Sequence, residues 1–510
     1  MSQISENNKR IAKNTLLLYV RMLFMMVVSL YTSRVILNAL GVEDFGIYNV
    51  VGGVVTMFSI ISSSLSSAIS RFLTYELGKG NQTKLNKIFS ASVSIQLLLS
   101  LIIVVLIESV GVWFMNVKMT IPESRMTAAN WVLQFSIVTF VINLISVPYN
   151  AAIIAHEKMS AFAYISILEA VCKLAIALLI MVSSIDKLIF YAILMCAVAV
   201  VIRFIYGHYC KKNFAECTYH FHWDKDILKQ MFGFAGWNFL GSGSFLLMTQ
   251  GVNILMNMFF GVTLNAARGV ANQVDNAVQQ FVTNFTTAIN PQITKSYATG
   301  NLSYMHQLVS AGSKYSFFLT WFFALPILLE TNKILSIWLK IVPEYSVMFL
   351  QLTIGVSLIS VISNTLVTSM LATGNIKKYQ IIVGGLGMTI FPLAYIAYKM
   401  GLPPATSYFI HMTIFVVQLG IRLYLLRNMI NLPIMYFVKN TLLPDLRVLL
   451  VSSIVPICLL CTMQDTFVRF LVICIISILS TVISIYTIGL TKSEKTFINQ
   501  YLVKVKARIQ

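Results

Sequence analysis

Charged side chains are scarce in this sequence, and acidic side chains are the scarcest. Of 510 residues, 11% are charged and only 18 are Asp or Glu, whereas 57% are hydrophobic. A soluble domain carries roughly 25% charged residues, so this composition excludes a soluble protein. The chain is instead expected to cross a membrane many times.

Cysteine is also rare, with seven in the whole chain. Seven thiols indicate no disulfide framework, and the pair Cys458 and Cys461 lies in an apolar run without a neighbouring His or Asp. Cys210, Cys217 and the histidines that follow them match no standard zinc spacing. No metal or organic cofactor is therefore expected.

Catalytic motifs are missing as well. The sequence contains no HExxH, no Walker lysine loop and no GxGxxG. The segments between apolar runs are short, so there is no large domain outside the membrane to hold a nucleotide. These absences exclude an ATP-driven pump as an activity of this chain alone, and the protein is not expected to be an enzyme.

What the sequence does have is a series of long apolar runs. A helix rises about 1.5 Å per residue, so roughly 20 residues cross a hydrocarbon core of about 30 Å. We therefore predict an all-α polytopic membrane protein of about fourteen transmembrane helices. The predicted spans are 14–38, 47–75, 88–112, 128–154, 160–183, 188–210, 230–260, 267–293, 308–329, 346–371, 379–398, 404–427, 443–462 and 467–490.

A recurring set of residues predicts that the first twelve spans are a duplicated unit of six. Six is even, so both copies have the same orientation, and we expect two parallel repeats that form two lobes. Chance recurrence of Gly and Asn at membrane turns is the alternative. The matching pairs are Gly41 and Gly261, Gly80-Asn81 and Gly300-Asn301, Ala155-His-Glu-Lys and Ala372-Thr-Gly-Asn-Ile-Lys, and Arg203 and Arg422.

The duplication predicts the domain bounds. Residues 1–210 form an N-lobe, 211–229 a cytoplasmic linker and 230–428 a C-lobe. Residues 429–490 add two C-terminal helices outside the repeat, and 491–510 form a basic cytoplasmic tail.

Positive charge is placed unevenly along the chain, which has 37 Lys and Arg and a formal net charge of +19. With the amino terminus inside, 23 of the 37 fall on inner segments, six within spans and eight outside. This bias follows the positive-inside rule and places both termini in the cytoplasm. No basic block is dense enough to indicate nucleic acid as a partner. The eight outer residues are Lys118, Arg125, Lys187, Arg268, Lys333, Lys340, Lys399 and Arg469.

Polar residues on the predicted eighth span recur at helical spacing. Lipid satisfies no hydrogen bonds, so such a face must line a polar cavity or pack on other polar groups. We predict that the first, second, seventh and eighth spans line a central cavity, with tight packing through small residues as the alternative. The predicted cavity-lining residues are Asn272, Asp275, Asn276, Gln279 and Thr283.

Several ionisable residues lie within predicted spans, where charge is costly and often functional. Glu169 and Lys173 stand one helical turn apart and are able to pair. That pair is either structural or, like Asp275, a candidate for coupling to an ion. The cationic residues either extend to lipid headgroups or contact an anionic substrate. The candidate substrate-binding cations are Arg34, Arg71, Lys173, Arg203 and Arg422.

Several blocks of the sequence resemble a known family. They are Asn14-Thr-Leu-Leu-Leu-Tyr, Ser33-Arg34-Val-Ile-Leu, Leu40-Gly-Val-Glu-Asp-Phe-Gly-Ile-Tyr48 and Pro291-Gln-Ile-Thr-Lys-Ser-Tyr-Ala-Thr-Gly-Asn301. Together they look like the polysaccharide-export branch of the MATE-like MOP flippase superfamily, which holds the Wzx-type O-antigen and capsule repeat-unit flippases. The likeness extends over residues 9–490.

The resemblance implies two six-helix lobes around a central cavity and transport by alternating access. The implied substrate is a polyprenyl-pyrophosphate-linked oligosaccharide, moved across the bacterial cytoplasmic membrane. We expect a proton or sodium gradient to drive it, and other polysaccharide-assembly proteins are candidate partners. A MATE-like small-molecule or drug cation antiporter is the first alternative, disfavoured because the first span has no acidic residue. A membrane enzyme of polysaccharide assembly, such as a polymerase, is the second, disfavoured by the short outer loops.

Both termini and residues 211–229 are expected to report the cytoplasm when fused to a topology reporter, because the inner segments carry most of the Lys and Arg. A fusion in the turn at residues 41–46 is the matched control and should report the opposite side. A reporter that finds either terminus outside the membrane would contradict the prediction.

Overall fold

The structure of the protein, a computed structural model, describes residues 2–56, 59–118, 121–181, 183, 186–220, 224–260, 262–339, 342–496 and 499. These residues form helices and contain no β-strand, which confirms the predicted all-α fold. The long helices are α1 (Ser2–Thr56), α2 (Ser59–Lys79), α3 (Gln82–Val117), α4 (Glu123–Ala155), α5 (Met159–Met181), α6 (Lys187–Asn213), α7 (Lys225–Phe260), α8 (Val262–Ala298), α9 (Leu302–Leu329), α10 (Ser346–Thr373), α11 (Lys377–Lys399), α12 (Thr406–Ile430), α13 (Ile434–Thr462) and α14 (Phe467–Gly489).

Twelve helices in the described part of the chain are long and apolar enough to cross a membrane. The two long helices that do not meet this criterion are α2 and α8. Serine dominates the polar content of α2, and Asn and Gln that of α8. The predicted second and eighth spans are thus the most polar of the long helices, and the count of fourteen crossings stays a prediction.

α1 consists of two helices joined at Gly41. This residue has φ +80° and ψ 171°, a backbone conformation that glycine adopts without a steric penalty. The sequence pattern predicts a turn over residues 41–46, but the helix resumes directly after Gly41. One residue in this conformation is enough to redirect the chain, so the turn is shorter than predicted.

The two Gly-Asn pairs of the predicted repeat share one conformation. Gly80 has φ +71° and Gly300 has φ +73°, and each ends a helix. The side chains of Asn81 and Asn301 then each accept a hydrogen bond from the backbone N–H three residues later, at 3.1 Å in both cases. The two matching Gly-Asn pairs therefore form the same type of helix–turn–helix connection, with a left-handed glycine followed by an asparagine that caps the next helix.

The chain folds into two units, Met1–Ser242 with Thr294–Gly300, and Gly243–Ile293 with Asn301–Gln510. In the first unit, α1 packs on α5 and α4 packs on α6. An apolar cluster joins the second part of α1 to α3 and α4 through residues such as Val51, Ile107 and Val132, which are fully buried. Burial of this cluster holds the second part of α1 against its neighbours.

An ion cluster joins three segments of the first unit. The guanidinium of Arg125 in α4 donates to both carboxylate oxygens of Asp44 in α1, and also to Asp186, whose side chain caps α6. The hydrogen bond from Arg125 is the main reason that the pKa of Asp186 lies below its ordinary value. Arg125 therefore ties the segment just after Gly41 to the starts of α4 and α6.

In the second unit, α9 packs against α10, α13 and α14. Trp321 of α9 donates its indole N–H to Ser452 Oγ of α13 at 2.8 Å. The hydroxyls of Ser310 and Thr441 hydrogen-bond between the same two segments at 2.7 Å. The two helices predicted to lie outside the repeat are therefore packed and hydrogen-bonded into the core of this unit.

α7 and α11 each contain a π-helical turn, at Leu247–Gly251 and Gln380–Gly384. Such turns leave backbone carbonyls without their usual helical partners and are common at functional positions. Ser244 of α7 donates its hydroxyl to the carbonyl of Gly384 at 2.7 Å. The irregular turn of α11 is thus joined to α7 by a buried hydrogen bond.

We expect Gly387→Ala to destabilise the second unit. A Cβ at this position would lie 2.7 Å from Ser244 Oγ and 3.1 Å from Gln418 Nε2, so these two side chains must shift from the positions in which they donate hydrogen bonds to α11. Overpacking of this kind costs about 1–3 kcal/mol, which thermal unfolding of the purified protein would detect. Gly385→Ala is the matched control, because a Cβ there meets nothing within 4 Å. Equal unfolding midpoints for the two variants would contradict the prediction.

Candidate functional site

The predicted cavity-lining residues lie on α8 at the spacing that the sequence indicated. Asn272, Asp275 and Gln279 follow one another at intervals of three and four residues, and each is half-buried. Asn276 and Thr283 are exposed. This spacing places the three half-buried side chains on one face of the helix. Their role in lining a water-filled cavity stays a prediction.

Asp275 has its neighbours on two helices. It lies beside Gln279 one turn further along α8 and beside Ser357 of α10. Asp275 Oδ1 and Gln279 Nε2 are both buried without a hydrogen-bond partner in the described part of the chain. An unsatisfied buried polar atom costs about 1–3 kcal/mol, so a ligand that bonded to these atoms would remove that cost. The coupling role of Asp275 stays a prediction.

Arg268 belongs to the same face of α8, although the charge count assigned it to the outer side of the membrane. It lies four residues before Asn272 and seven before Asp275, and only 7% of it is exposed. The predicted eighth span begins at residue 267, and this start places Arg268 at the outer surface of the membrane. Its spacing from Asn272 and Asp275 was the signal that could have identified it as part of the polar face.

The contacts of Arg268 are weak for a buried cation. Nη2 donates to the carbonyl of Thr249 at 3.5 Å, and Nη1 lies 3.4 Å from Met256 Sδ. Its guanidinium carbon lies 5.7 Å from the ring centre of Tyr408, and its Nε has no hydrogen-bond partner. Within the described residues, no carboxylate pairs with it. The charge is therefore buried without an anionic partner.

The predicted pairing of Glu169 with Lys173 is confirmed. Their charged atoms are 2.6 Å apart, and the side chains are 34% and 39% exposed. Glu169 also acts electrostatically on Arg21 of α1, whose guanidinium lies 4.4 Å from the ring centre of Phe162. A partly exposed pair contributes about 0–1 kcal/mol to stability. Roles for Glu169 in ion coupling and for Lys173 in substrate binding stay predictions.

Arg71 of α2 lies among aromatic rings. Its guanidinium carbon is 4.7 Å from the ring centre of Phe72, 4.6 Å from that of Tyr75 and 5.9 Å from that of Phe234. Cation–π contacts of this kind contribute about 0.5–2 kcal/mol, more when water is excluded. The rings hold the cation within the first unit, and its contact with substrate stays a prediction.

The remaining predicted cations have different surroundings. Arg203 packs over the ring of Tyr149 at 3.9 Å and, with Lys211 near the end of α6, lines a cavity of about 680 Å³. Arg422 donates from Nη2 to Gln418 at 3.3 Å. The side chain of Arg34 lies outside the described residues.

Glu157 was not predicted as a site residue, yet it is the centre of a buried ion cluster. It lies between α4 and α5, and its side chain is 0% exposed. One carboxylate oxygen pairs with Arg10 Nε at 2.8 Å and the other with Lys295 Nζ at 2.6 Å. Asn14 Nδ2 donates to its backbone carbonyl at 3.3 Å. The carboxylate thus binds two cations that are 285 residues apart in sequence.

Glu157 has an unfavourable backbone conformation, so its presence at this position costs stability. Glu157 has φ +58°, a left-handed conformation that costs a non-glycine residue about 1–2 kcal/mol. The matching position of the predicted repeat, 217 residues later, is Gly374, with φ +76°. Glycine would make the same turn more cheaply, so the turn itself does not require Glu157. The pattern match predicted the turn, but only the fold brings the two cations to it.

The comparisons with known proteins place the chain in a family. A family model described as "Polysaccharide biosynthesis protein" matches residues 11–297, more than half of the chain. The chain belongs to this family. An "Uncharacterized membrane protein EpsK" of Bacillus subtilis (strain 168) is 20% identical to it over 278 residues. That match covers 54% of each protein, so the chain spans about half the length of this relative.

Solved structures identify the fold of this polysaccharide biosynthesis protein. An outward-facing multidrug resistance MATE family transporter of the MOP superfamily matches with a TM-score of 0.72 at 12% identity, over 84% of this chain and 97% of that one. A MOP superfamily transporter from Pyrococcus furiosus Vc1 (DSM3638), described with a reversed polarity of its binding pocket, has a TM-score of 0.67 at 12% identity, over 81% and 95%. At such identities the likeness is one of fold alone.

Family and fold together confirm the resemblance read from the sequence blocks. The protein is a multi-pass membrane protein of the polysaccharide biosynthesis family with a MATE-like fold. The polar face of α8 and the buried carboxylate of Glu157 therefore lie within a MATE-like fold.

Glu157→Gln is expected to destabilise the first unit by about 1.5–3 kcal/mol, because the 21% exposed Lys295 loses its charged hydrogen-bond partner, whereas the 47% exposed Arg10 retains contact with solvent. Thermal unfolding in detergent measures the loss. Glu169→Gln is the matched control, since its ion pair is partly exposed and its removal should cost no more than about 1 kcal/mol.

Glu157→Gly separates the carboxylate from the backbone turn. It relieves the left-handed conformation but removes the charge, so it should also be less stable than the wild type. A glycine variant at least as stable as the wild type would show that the ion cluster contributes no more than the about 1–2 kcal/mol that the left-handed backbone costs.

Proposed function

We propose that this protein is a flippase that moves polyprenyl-pyrophosphate-linked oligosaccharide repeat units across the bacterial cytoplasmic membrane by alternating access. Membership in the polysaccharide biosynthesis family and the MATE-like fold support this function. The energy comes from a proton or sodium gradient. Both termini lie in the cytoplasm, and other proteins of polysaccharide assembly supply the substrate and receive it.

The main support for this function is the burial of Arg268 without an anionic partner among the described residues. A buried charge without a partner costs several kcal/mol, and a bound anion would remove that cost. A pyrophosphate offers oxygens that a guanidinium holds through two parallel hydrogen bonds. Asn272 and Gln279 on the same face supply amide groups that suit the hydroxyls of a sugar. A cationic drug would be repelled by the same arginine, which disfavours the antiporter alternative.

The other predicted cations extend this proposal to the rest of the pathway. Arg34 and Arg71 contact the pyrophosphate on the first repeat. Lys173, Arg203 and Arg422 are further proposed contacts, although Lys173 is already paired with Glu169. The polyprenyl chain is apolar and stays in the lipid throughout.

Arg268→Gln tests the proposal in proteoliposomes that carry a polyprenyl-pyrophosphate-linked oligosaccharide. A hydrogen bond to a charged group contributes about 1.5–3 kcal/mol, so the transport rate should fall roughly 10- to 100-fold. Arg268→Lys keeps the charge without the bidentate geometry, so its transport rate should fall by less than that of Arg268→Gln. Arg427→Gln is the matched control, because Arg427 is exposed on α12.

The comparison requires equal amounts of folded protein in the vesicles. Wild-type rates from Arg268→Gln would show that this arginine does not contact the substrate. Export of an organic cation, without movement of the oligosaccharide, would instead favour the antiporter.

A further inference from the structure

Lys314 lies near the middle of α9 and is one of the largest fully buried side chains, with 2% exposed. Its ammonium donates to both carboxylate oxygens of Glu494, at 2.8 and 2.7 Å. Glu494 follows α14 and also accepts a hydrogen bond from the backbone N–H of Thr491 at 2.7 Å. The pair therefore binds the segment after the last long helix to the core of the second unit.

Hydrogen bonding keeps Glu494 ionised in this pair. Burial by itself raises the pKa of its carboxyl, but the hydrogen bonds and charge of Lys314, together with the hydrogen bonds from Thr491 and Tyr315, outweigh burial and hold the pKa below its ordinary value. A charge-assisted pair of this length is among the stronger interactions in a protein interior. Lys314 and Glu494 thus neutralise each other in the structure.

Asp445 is a second carboxyl near the same ammonium, and it has no such partner. It lies in the first part of α13 and is 3% exposed. Both of its carboxylate oxygens are buried without a hydrogen-bond partner in the described part of the chain. Lys314 is close enough to act on its charge but directs its hydrogen bonds to Glu494. An ionised carboxylate in this position would be costly, whereas a protonated one would not.

The other ionisable groups around the site do not compensate Asp445. Tyr315 of α9 and Tyr436 of α13 both lie near Glu494. Lys439 of α13 is exposed. Lys495 directs its ammonium to the carbonyl of Thr487 at 2.7 Å. Among the described residues, Lys314 is thus the one cation that lies close enough to interact with both carboxyls.

One ammonium and two carboxyls are electrically neutral only when they hold one additional proton. With both carboxyls ionised the buried group carries a charge of −1, which the interior disfavours. The proton belongs to the pair of carboxyls as a unit, because Lys314 stabilises whichever of them is ionised. A shift of Lys314 from Glu494 towards Asp445 would move the proton to Glu494, which is less buried.

We propose that Asp445, Lys314 and Glu494 form a proton-binding site through which a proton gradient drives transport. A metal cation is disfavoured, because no group of three or more His, Cys, Asp or Glu among the described residues is arranged to hold one. The nearby hydroxyls of Ser310 and Thr441 bond to each other instead. The coupling role depends on the proposed flippase function, but proton binding does not.

The test of proton binding is an infrared pH titration of the purified full-length protein in lipid nanodiscs. The wild type should show the carbonyl stretch of a protonated carboxyl at neutral pH, and Asp445→Asn should lose it. Asp465→Asn is the matched control, because that side chain is 63% exposed, and it should keep the band. A wild-type spectrum without the band, or an unchanged band in Asp445→Asn, would overturn the proposal.

Glu494→Gln provides a second variant that leaves Asp445 in place. Lys314 then has Asp445 as its remaining carboxylate, so the midpoint of the band should fall by at least one pH unit, a tenfold change in proton affinity. A midpoint that stays within a few tenths of the wild-type value would show that the three groups do not share a proton, even if Asp445→Asn fails to fold.

The coupling role is measured separately, in proteoliposomes loaded with the lipid-linked oligosaccharide. An imposed pH gradient should accelerate wild-type transport at least tenfold and leave Asp445→Asn unaffected, whereas a sodium gradient should accelerate neither. An equal response of both proteins to the pH gradient would overturn the coupling role. Absence of any wild-type transport would refute the proposed function, while the infrared titration still decides proton binding.

Discussion

A charge inside a membrane protein requires a partner, and this requirement explains the most informative contacts of the structure. Neither lipid nor a dry protein interior supplies the hydrogen bonds that water gives to an ion. Glu157 meets the requirement with Arg10 and Lys295, and Lys314 meets it with Glu494. In each cluster the partners come from segments far apart in the chain. The ion pairs therefore join helices as well as neutralise charge.

The requirement is also informative where it is not met. Arg268 and Asp445 are buried without a partner of opposite charge in hydrogen-bonding contact among the described residues. Natural proteins tolerate such violations mainly at functional sites, where a ligand or a proton completes the group. For the arginine the missing partner is an anion, and for the aspartate it is a proton. These two residues consequently support the substrate and the energy source proposed for the transporter.

Two matching turns of the predicted repeat differ in their side chains. Gly374 and Glu157 occupy matching turns with similar positive φ angles. Glycine makes this turn without steric penalty, whereas glutamate makes it at a cost that its two ion pairs offset. The first unit thus carries a charge cluster where the second has a plain turn.

The sequence alone determined that the protein is helical and spans a membrane. The length of an apolar segment and the periodicity of its polar residues are local properties, and they are what the thickness and apolarity of the bilayer require. The sequence also predicted the polar face of α8 and the pair Glu169–Lys173, because both depend only on the spacing of residues within one helix. Arg268, Glu157 and Asp445 were not predicted as site residues, because burial and the identity of a partner depend on which distant segments pack together. Only the tertiary structure decided which of these residues are buried and which partners they have. The linear sequence around a residue does not indicate which charged group will lie next to it in the folded protein.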